Sequence, residues 1–299
     1  MSSENAYAAS PEDVRRMAQL AGIEVVMNEG EENPDHAPEP DTDEQAPSPE
    51  QIRQLLREMA EAAFSKDGEE FSEFAEENRQ RIRIAATCAP EVAEMLVLGY
   101  KVGIAEGSAT CMNDLGALYY MGELVEQDYH KAAELYEMAA NAGCFQSIIN
   151  LGYIYEYGRT GAPDHAKAFQ WYALAAALAP SSEAVYKLGD MFSRGRAVPR
   201  DRAKAHVLYE RSLELARGDV ELAQPAVRIA KMLVDPDATS YGVKPDPLRA
   251  LALFQQAEIG LRLDIADGQT YYAKRLQEAI EGQRRARDLI ETDDGAWLD

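Results

Sequence analysis

One residue pattern occurs three times in this chain, at a spacing of 36 to 37 residues. Leu115, Leu151 and Leu188 are each followed by glycine and then, three residues later, by an aromatic side chain. A constant period in this range is typical of a solenoid in which one supersecondary unit is repeated. The repeat therefore predicts the architecture before any single segment is assigned.

Each repeat has the pattern of two helices joined by a loop. In the first helix (helix A), Ile148, Leu151, Gly152 and Tyr155 fall at positions i, i+3, i+4 and i+7, which is one face of a helix. Glycine inside a helix costs about 1 kcal/mol relative to alanine, so its recurrence predicts a close approach of the second helix (helix B). Helix B alternates small and aromatic residues, as in Ala168, Trp171, Tyr172 and Ala175.

Capping residues mark both ends of the inter-helix loop. A second glycine follows helix A in every copy, where a left-handed C-cap is expected. An aspartate precedes helix B in every copy and fits the N-cap position. The glycines are Gly122, Gly158 and Gly195, and the aspartates are Asp128, Asp164 and Asp201.

Together these elements read LG-x-x-Y-x-x-G, a loop that ends in Asp, and then KA-x-x-WY-x-x-AA, with the most complete copy at 151–176. This combination resembles the Sel1-like repeat family, whose helix pairs are similar to tetratricopeptide repeats. The pattern departs from the family at Leu135 and Leu208, where tryptophan is preferred, and at Leu124 and Thr160, near the usual second loop glycine. The resemblance implies a repeat protein that acts as a protein–protein interaction scaffold.

We therefore predict an all-α fold, a right-handed α-solenoid of helix-turn-helix repeats with atypical capping helices. Polar terminal units of this kind close the open ends of solenoids. The predicted divisions are an N-terminal tail with a short amphipathic helix (1–27), a disordered acidic linker (28–50) and the solenoid (51–299). Within the solenoid we predict clear repeats at about 107–143, 143–179 and 180–217, a degenerate repeat at about 222–262 and a capping helix at about 268–290.

The two N-terminal segments differ in composition. Residues 28–50 contain nine acidic residues, five prolines and no Lys or Arg, so they cannot bury enough apolar surface to fold. In the tail, Ser10, Pro11 and Asp13 form a capping-box pattern that predicts a helix start. That helix is either a short tail that is marginal alone, or a tethered docking helix for a partner or for the protein's own groove.

Charge and cysteine content narrow the class of protein. The net charge of −22 argues against nucleic-acid or anionic-membrane partners, which call for a basic surface. The chain shows neither a signal peptide nor an apolar run long enough for a membrane span, and we expect a cytoplasmic protein. Cys88, Cys111 and Cys144 are expected to be reduced and buried.

No catalytic motif is recognisable. The histidines lack metal-ligand spacing, and neither a phosphate loop nor a nucleophile elbow occurs, so we expect no catalytic residues, metal or cofactor. The recurrent aromatics are expected to be core residues: Tyr119, Tyr136, Tyr155, Trp171, Tyr172 and Tyr209. An enzyme with an unrecognised site, or a mainly structural or oligomerising subunit, remains the alternative to a scaffold, and the sequence does not indicate the oligomeric state.

A partner-binding surface has to come from helix A positions outside the core stripe. In the Sel1-like class the A helices line the concave face, so the resemblance places a protein or peptide partner there. Two tyrosines outside the core register, Tyr153 and Tyr157, are the most telling, because aromatics and arginine are enriched in interface hot spots. The alternative is that these positions pack against the neighbouring A helix. The candidates are Met121, Asn150, Tyr153, Tyr157, Lys187, Asp190 and Arg194.

Overall fold

A computed structural model of the chain describes residues 5–22, 46–65 and 68–292. These residues form α-helices and two short 3₁₀ turns, with no strand among them, which confirms the all-α prediction. The predicted linker lies outside the described residues except at its C-terminal end, where Ser48 caps a helix that begins at Pro49, two residues earlier than expected. The helices are α1 (Pro11–Leu20), α2 (Pro49–Ala63), α3 (Glu70–Glu77), α4 (Arg79–Cys88), α5 (Pro90–Ala105), α6 (Ala109–Met121), α7 (Tyr129–Asn141), α8 (Phe145–Tyr157), α9 (His165–Leu178), α10 (Ser182–Arg194), α11 (Arg202–Leu215), α12 (Gly218–Leu233), α13 (Pro247–Ala266) and α14 (Ala273–Thr292).

The caps predicted for the repeats are present. The side chains of Asp128, Asp164 and Asp201 accept hydrogen bonds from the backbone N–H three residues on, at 3.0, 2.9 and 2.8 Å. Those three N–H groups belong to the recurrent lysines. Each lysine ammonium also lies 4.3 to 5.0 Å from the centre of the aromatic ring that follows the helix A glycine by three residues in its own repeat. The recurrent lysines therefore cover rings at the end of helix A and help to close the repeat.

The helical glycines are required by close packing. A Cβ built on Gly152 would lie 2.2 Å from the Tyr172 ring, and one on Gly189 would lie 2.5 Å from the Tyr209 ring. Tyr172 and Tyr209 are buried. Each repeat thus inserts a helix B tyrosine over the glycine of its helix A, which confirms the predicted close approach.

The residues of the structure divide into two compact units, 1–147 and 148–299, and the division falls inside α8. In the first unit, α2, α5, α6 and α7 surround a core of aliphatic side chains, Phe71 and Tyr100. Asn78 separates α3 from α4, and its side-chain amide donates to the Phe74 carbonyl. Cys111 is buried, Cys144 is half-buried and Cys88 is exposed, so the expectation of three buried cysteines was wrong for Cys88 and only partly met at Cys144.

Helix α1 packs against α5 of the first unit. Met17 is completely buried there, and the Ala9 N–H donates to the Lys101 carbonyl at 2.8 Å. Two ion pairs flank this contact, Lys101 with Asp13 at 3.0 Å and Arg16 with Glu94 at 2.7 Å. The structure thus shows α1 packed on α5 of its own chain.

The second unit contains the helix pairs α8/α9, α10/α11 and α12/α13, followed by α14. In the degenerate pair, Asp246 caps α13, and Ala250, Phe254 and Ala257 are buried. Helix α14 packs along α13, and a Cβ on Gly282 would lie 2.3 Å from the Phe254 ring. The second unit thus contains three A helices, α8, α10 and α12. Side chains from these three helices form the candidate site.

Candidate functional site

We define the A-helix face as the surface of the second unit formed by Tyr153, Glu156 and Tyr157 of α8, Lys187, Asp190 and Arg194 of α10, and Arg228 of α12. Two tyrosines of α8 stack in parallel on this face. The Tyr153 and Tyr157 ring centres lie 6.0 Å apart, with an angle of 12° between the ring planes. Tyr157 is 47% exposed, whereas Tyr153 is only partly exposed.

Tyr153 contacts the next A helix. Its hydroxyl donates to Glu183 at 2.6 Å and lies 3.2 Å from the Tyr186 hydroxyl, both on α10. Burial raises the pKa of Tyr153, and the Glu183 carboxylate raises it further. Tyr153 therefore packs against the neighbouring A helix, which was the alternative to a position facing a partner.

Lys187 lies beneath these tyrosines. Its ammonium is 2.6 Å from the Glu156 carboxylate and lies 4.2 Å from the centre of the Tyr153 ring. Glu156 is 2% exposed and Lys187 is 3% exposed. Burial alone would raise the pKa of Glu156, but the Lys187 ammonium and the Tyr172 hydroxyl, which donates at 2.9 Å, lower it overall.

Asp190 forms a second buried ion pair. The Arg228 guanidinium donates from Nε and Nη2 to the two Asp190 oxygens at 2.7 Å each, and the Tyr209 hydroxyl donates at 2.8 Å. Burial opposes ionisation of Asp190, but the bidentate Arg228 outweighs it and lowers the pKa of the carboxyl. The Arg228 guanidinium is in turn 4.4 Å from the centre of the Tyr186 ring.

These contacts revise the predicted polar groove. Lys187 and Asp190 were expected to face a partner, but both are buried because α8 and α12 flank α10 and supply opposite charges. Tyr157 and Arg194 remain exposed, and Asn150 is partly exposed. Met121 is exposed but belongs to the first unit, so the structure does not group it with the other six.

Sequence reasoning missed Glu156 and Arg228, which are the partners of the buried charges. A buried lysine or aspartate requires an opposite charge. Once Lys187 and Asp190 are known to be buried, partners such as Glu156 and Arg228 are therefore expected. The expected core role of the recurrent aromatics holds for Tyr136, Tyr172 and Tyr209, which are buried. It holds only in part for three others, which are half-buried: Tyr119, Tyr155 and Trp171.

The network holds fixed charges at neutral pH. The carboxyl groups of Glu156 and Asp190 have lowered pKa values, and the tyrosines that bond to them have raised ones. Its contacts therefore hold these side chains in fixed orientations. Among residues 5–22, 46–65 and 68–292, no group of three or more His, Cys, Asp or Glu is arranged to hold a metal ion. None of the described helices is both long and apolar enough to cross a membrane.

Antiparallel helix pairs with a glycine–tyrosine contact and a capped loop place the chain in the class of tandem helix-repeat proteins. Four segments match the family model of the Sel1 repeat, at residues 109–144, 146–180, 182–216 and 238–258. These segments are Sel1 repeats, which confirms the resemblance seen in the sequence.

Similar proteins include one curated relative and several solved structures. The alginate biosynthesis protein AlgK of Azotobacter vinelandii is 36% identical over 107 residues, which cover 36% of this chain and 23% of AlgK. The chain thus matches less than a quarter of the length of that relative. A Sel1 repeat protein from Oxalobacter formigenes is 20% identical, with a TM-score of 0.47 over 71% of this chain and 96% of the other. A protective antigen of uropathogenic Escherichia coli with an SLR fold is 21% identical, with a TM-score of 0.44 over 79% of this chain and 56% of the other.

Proposed function

We propose that this chain is a non-catalytic scaffold that binds a protein or peptide partner through the A-helix face of its second unit. Sel1-repeat proteins generally mediate protein–protein interactions, which supports the class of function. The face itself supports the location, because it offers a tyrosine and an arginine, two residue types enriched in interface hot spots.

The observation that carries the proposal is the exposed Tyr157 ring on a rigid support. Tyr157 stacks on Tyr153, and Tyr153 is held by its hydrogen bond to Glu183 and by the Lys187 ammonium below it. A side chain already fixed in its bound conformation loses less entropy when a partner binds. The buried charges beneath the face therefore serve binding by pre-organising the exposed ring.

Tyr157→Ala tests the proposal. Peptides selected from a random display library on the full-length protein serve as ligands, and their affinities are measured by fluorescence anisotropy. The variant should weaken binding by about 1–2 kcal/mol, in the range of interface aromatics, while the free energy of unfolding changes by less than about 1 kcal/mol because Tyr157 is about half exposed.

Leu178→Ala is the matched control, since Leu178 is an exposed apolar residue on helix B of the same repeat. It should leave the affinity unchanged. Equal losses for the two variants, or none for Tyr157→Ala, would contradict the location. Turnover of a small molecule by the purified protein would contradict the class of function.

A further inference from the structure

Three arginines stand around the buried charges of the A-helix face and are only partly neutralised. The Arg194 guanidinium is 43% exposed, and its nearest carboxylate oxygens are 3.6 Å away on Glu156 and 3.7 Å away on Asp190. Charge-assisted N–H···O bonds are about 2.7–2.9 Å long. Arg194 therefore lies near two carboxylates without a full hydrogen bond to either.

The other two arginines share their acceptors with further cations. Arg196 donates to Glu156 at 2.9 Å, on the carboxylate that Lys187 also contacts. Arg275 of α14 contacts Glu278 at 3.0 Å, and the same Glu278 oxygen lies 2.6 Å from the Lys231 ammonium. In both cases one carboxylate contacts two or more positively charged groups.

Cations outnumber carboxylates in these contacts. The groups that take part comprise six cations and four carboxylates, whereas the chain as a whole carries a net charge of −22. The six cations are Lys187, Arg194, Arg196, Arg228, Lys231 and Arg275, and the four carboxylates are Glu156, Glu183, Asp190 and Glu278.

The pKa of Arg275 reflects both signs of charge around it. Burial lowers the pKa of Arg275, and the nearby Arg228 and Arg194 lower it further, while Glu278 and Asp190 offset part of the effect. Gln224 of α12 lies beside Arg228, and its side-chain oxygen accepts from Arg228 at 3.0 Å. An incoming anion would offset the repulsion among these arginines.

We propose that Arg194 and Arg275, with Arg196 beside them, bind a carboxylate-bearing segment of the partner, so that the scaffold recognises acidic peptides. This inference rests on the proposed function and names the chemistry of its ligand. A short acidic segment fits better than a nucleic acid. Exposed charges separated by more than about 8 Å are largely screened at physiological salt, so a few carboxylates meet the arginines, whereas a long polyanion also meets the acidic remainder of the surface.

The test is a random-peptide display selection on the full-length protein. Peptides enriched on the wild type should contain an excess of Asp and Glu, and replacing these by Asn and Gln should weaken binding. Arg194→Gln combined with Arg275→Gln should abolish the acidic excess and weaken an acidic peptide at least about tenfold, as expected for lost hydrogen bonds to charged groups.

The matched control combines Arg211→Gln with Arg262→Gln, which removes two exposed, ion-paired arginines of the same unit. It should leave the acidic excess intact, as should Arg194→Lys with Arg275→Lys, which keeps both charges. Far-ultraviolet circular dichroism establishes that each variant is folded. The wild-type protein alone also tests the acidic preference, because peptides with Asp and Glu can be compared with the same peptides carrying Asn and Gln. This comparison holds even if the glutamine variant fails to fold.

The outcomes separate this inference from the proposed function. Enriched peptides without an acidic excess, whose binding still requires Tyr157, would overturn the acidic preference and leave the scaffold intact. Failure to enrich any peptide would count against both. If the protein binds heparin through Arg194 and Arg275 but does not bind acidic peptides, the proposed peptide ligand is wrong and the ligand is a polyanion.

Discussion

At the residue scale, the repeat depends on contacts that tolerate no added atom. The Gly152–Tyr172 pair is the clearest, because Tyr172 also donates to Glu156 and so joins the repeat core to the A-helix face. A change at this glycine would move both the ring and the buried carboxylate. The constant spacing of glycine and tyrosine in the three repeats of this chain is therefore a packing requirement.

Gly152→Ala should lower the free energy of unfolding by about 2–3 kcal/mol, because overpacking a well-packed core typically costs about 1–3 kcal/mol. Chemical denaturation checks the value. Gly161→Ala is the control, since a Cβ there meets nothing within 4 Å and its φ lies outside the left-handed region. A similar effect of the two changes would show that the Gly152–Tyr172 contact is not close-packed.

At the element scale, the inter-helix loop determines how each pair of helices begins and ends. In the loop before α11, Gly195 has a φ of 68° and ends α10, and Ala197 has a φ of 63°. Non-glycine residues rarely adopt this region, which costs about 1–2 kcal/mol per residue. The strain at Ala197 is thus the structural consequence of a loop position without glycine.

Ala197→Gly should stabilise the protein by about 0.5–1 kcal/mol, because glycine adopts a positive φ at no steric cost, although it also loses more chain entropy on folding. Ala203→Gly, at an exposed position in the first turn of α11, should instead destabilise by about 0.5–1 kcal/mol. Thermal unfolding of both variants checks the prediction. Changes of the same sign would contradict a left-handed Ala197.

The repeat pattern predicted helix pairs, caps and the glycine contacts because each depends on residues close in sequence. The burial of Lys187 and Asp190 could not be predicted from their own helix, where they lie opposite the core stripe. It depends on Glu156 and Arg228, which are 31 and 38 residues away and belong to the adjacent A helices. Contacts between repeats therefore determine which polar residues face solvent.

At the scale of the whole molecule, charge governs how stability depends on pH. Asp264 of α13 is buried, and burial together with Asp267 raises the pKa of Asp264 to about 6. The unfolded value is about 3.9. Because the folded state binds this proton more tightly, the contribution of Asp264 to stability falls as pH rises from about 4 to about 6 and is then constant.

Asp264→Asn removes this titration, so its unfolding free energy relative to the wild type should rise between pH 4 and pH 6. A shift of two pKa units corresponds to about 3 kcal/mol, which is an upper bound for the change. Urea denaturation at several pH values measures it, with the exposed Asp288→Asn in α14 as control. A difference between variant and wild type that does not vary with pH would contradict the raised pKa.

Amide hydrogen–deuterium exchange with a bound peptide tests most directly whether the A-helix face is the binding surface. A peptide selected on the full-length protein should slow exchange in the C-terminal half of α8 and in α10, around Tyr157 and Arg194. Exchange in α9 and α11, the B helices of the same repeats, should not change. Protection confined to the B helices, or to the first unit, would contradict the account.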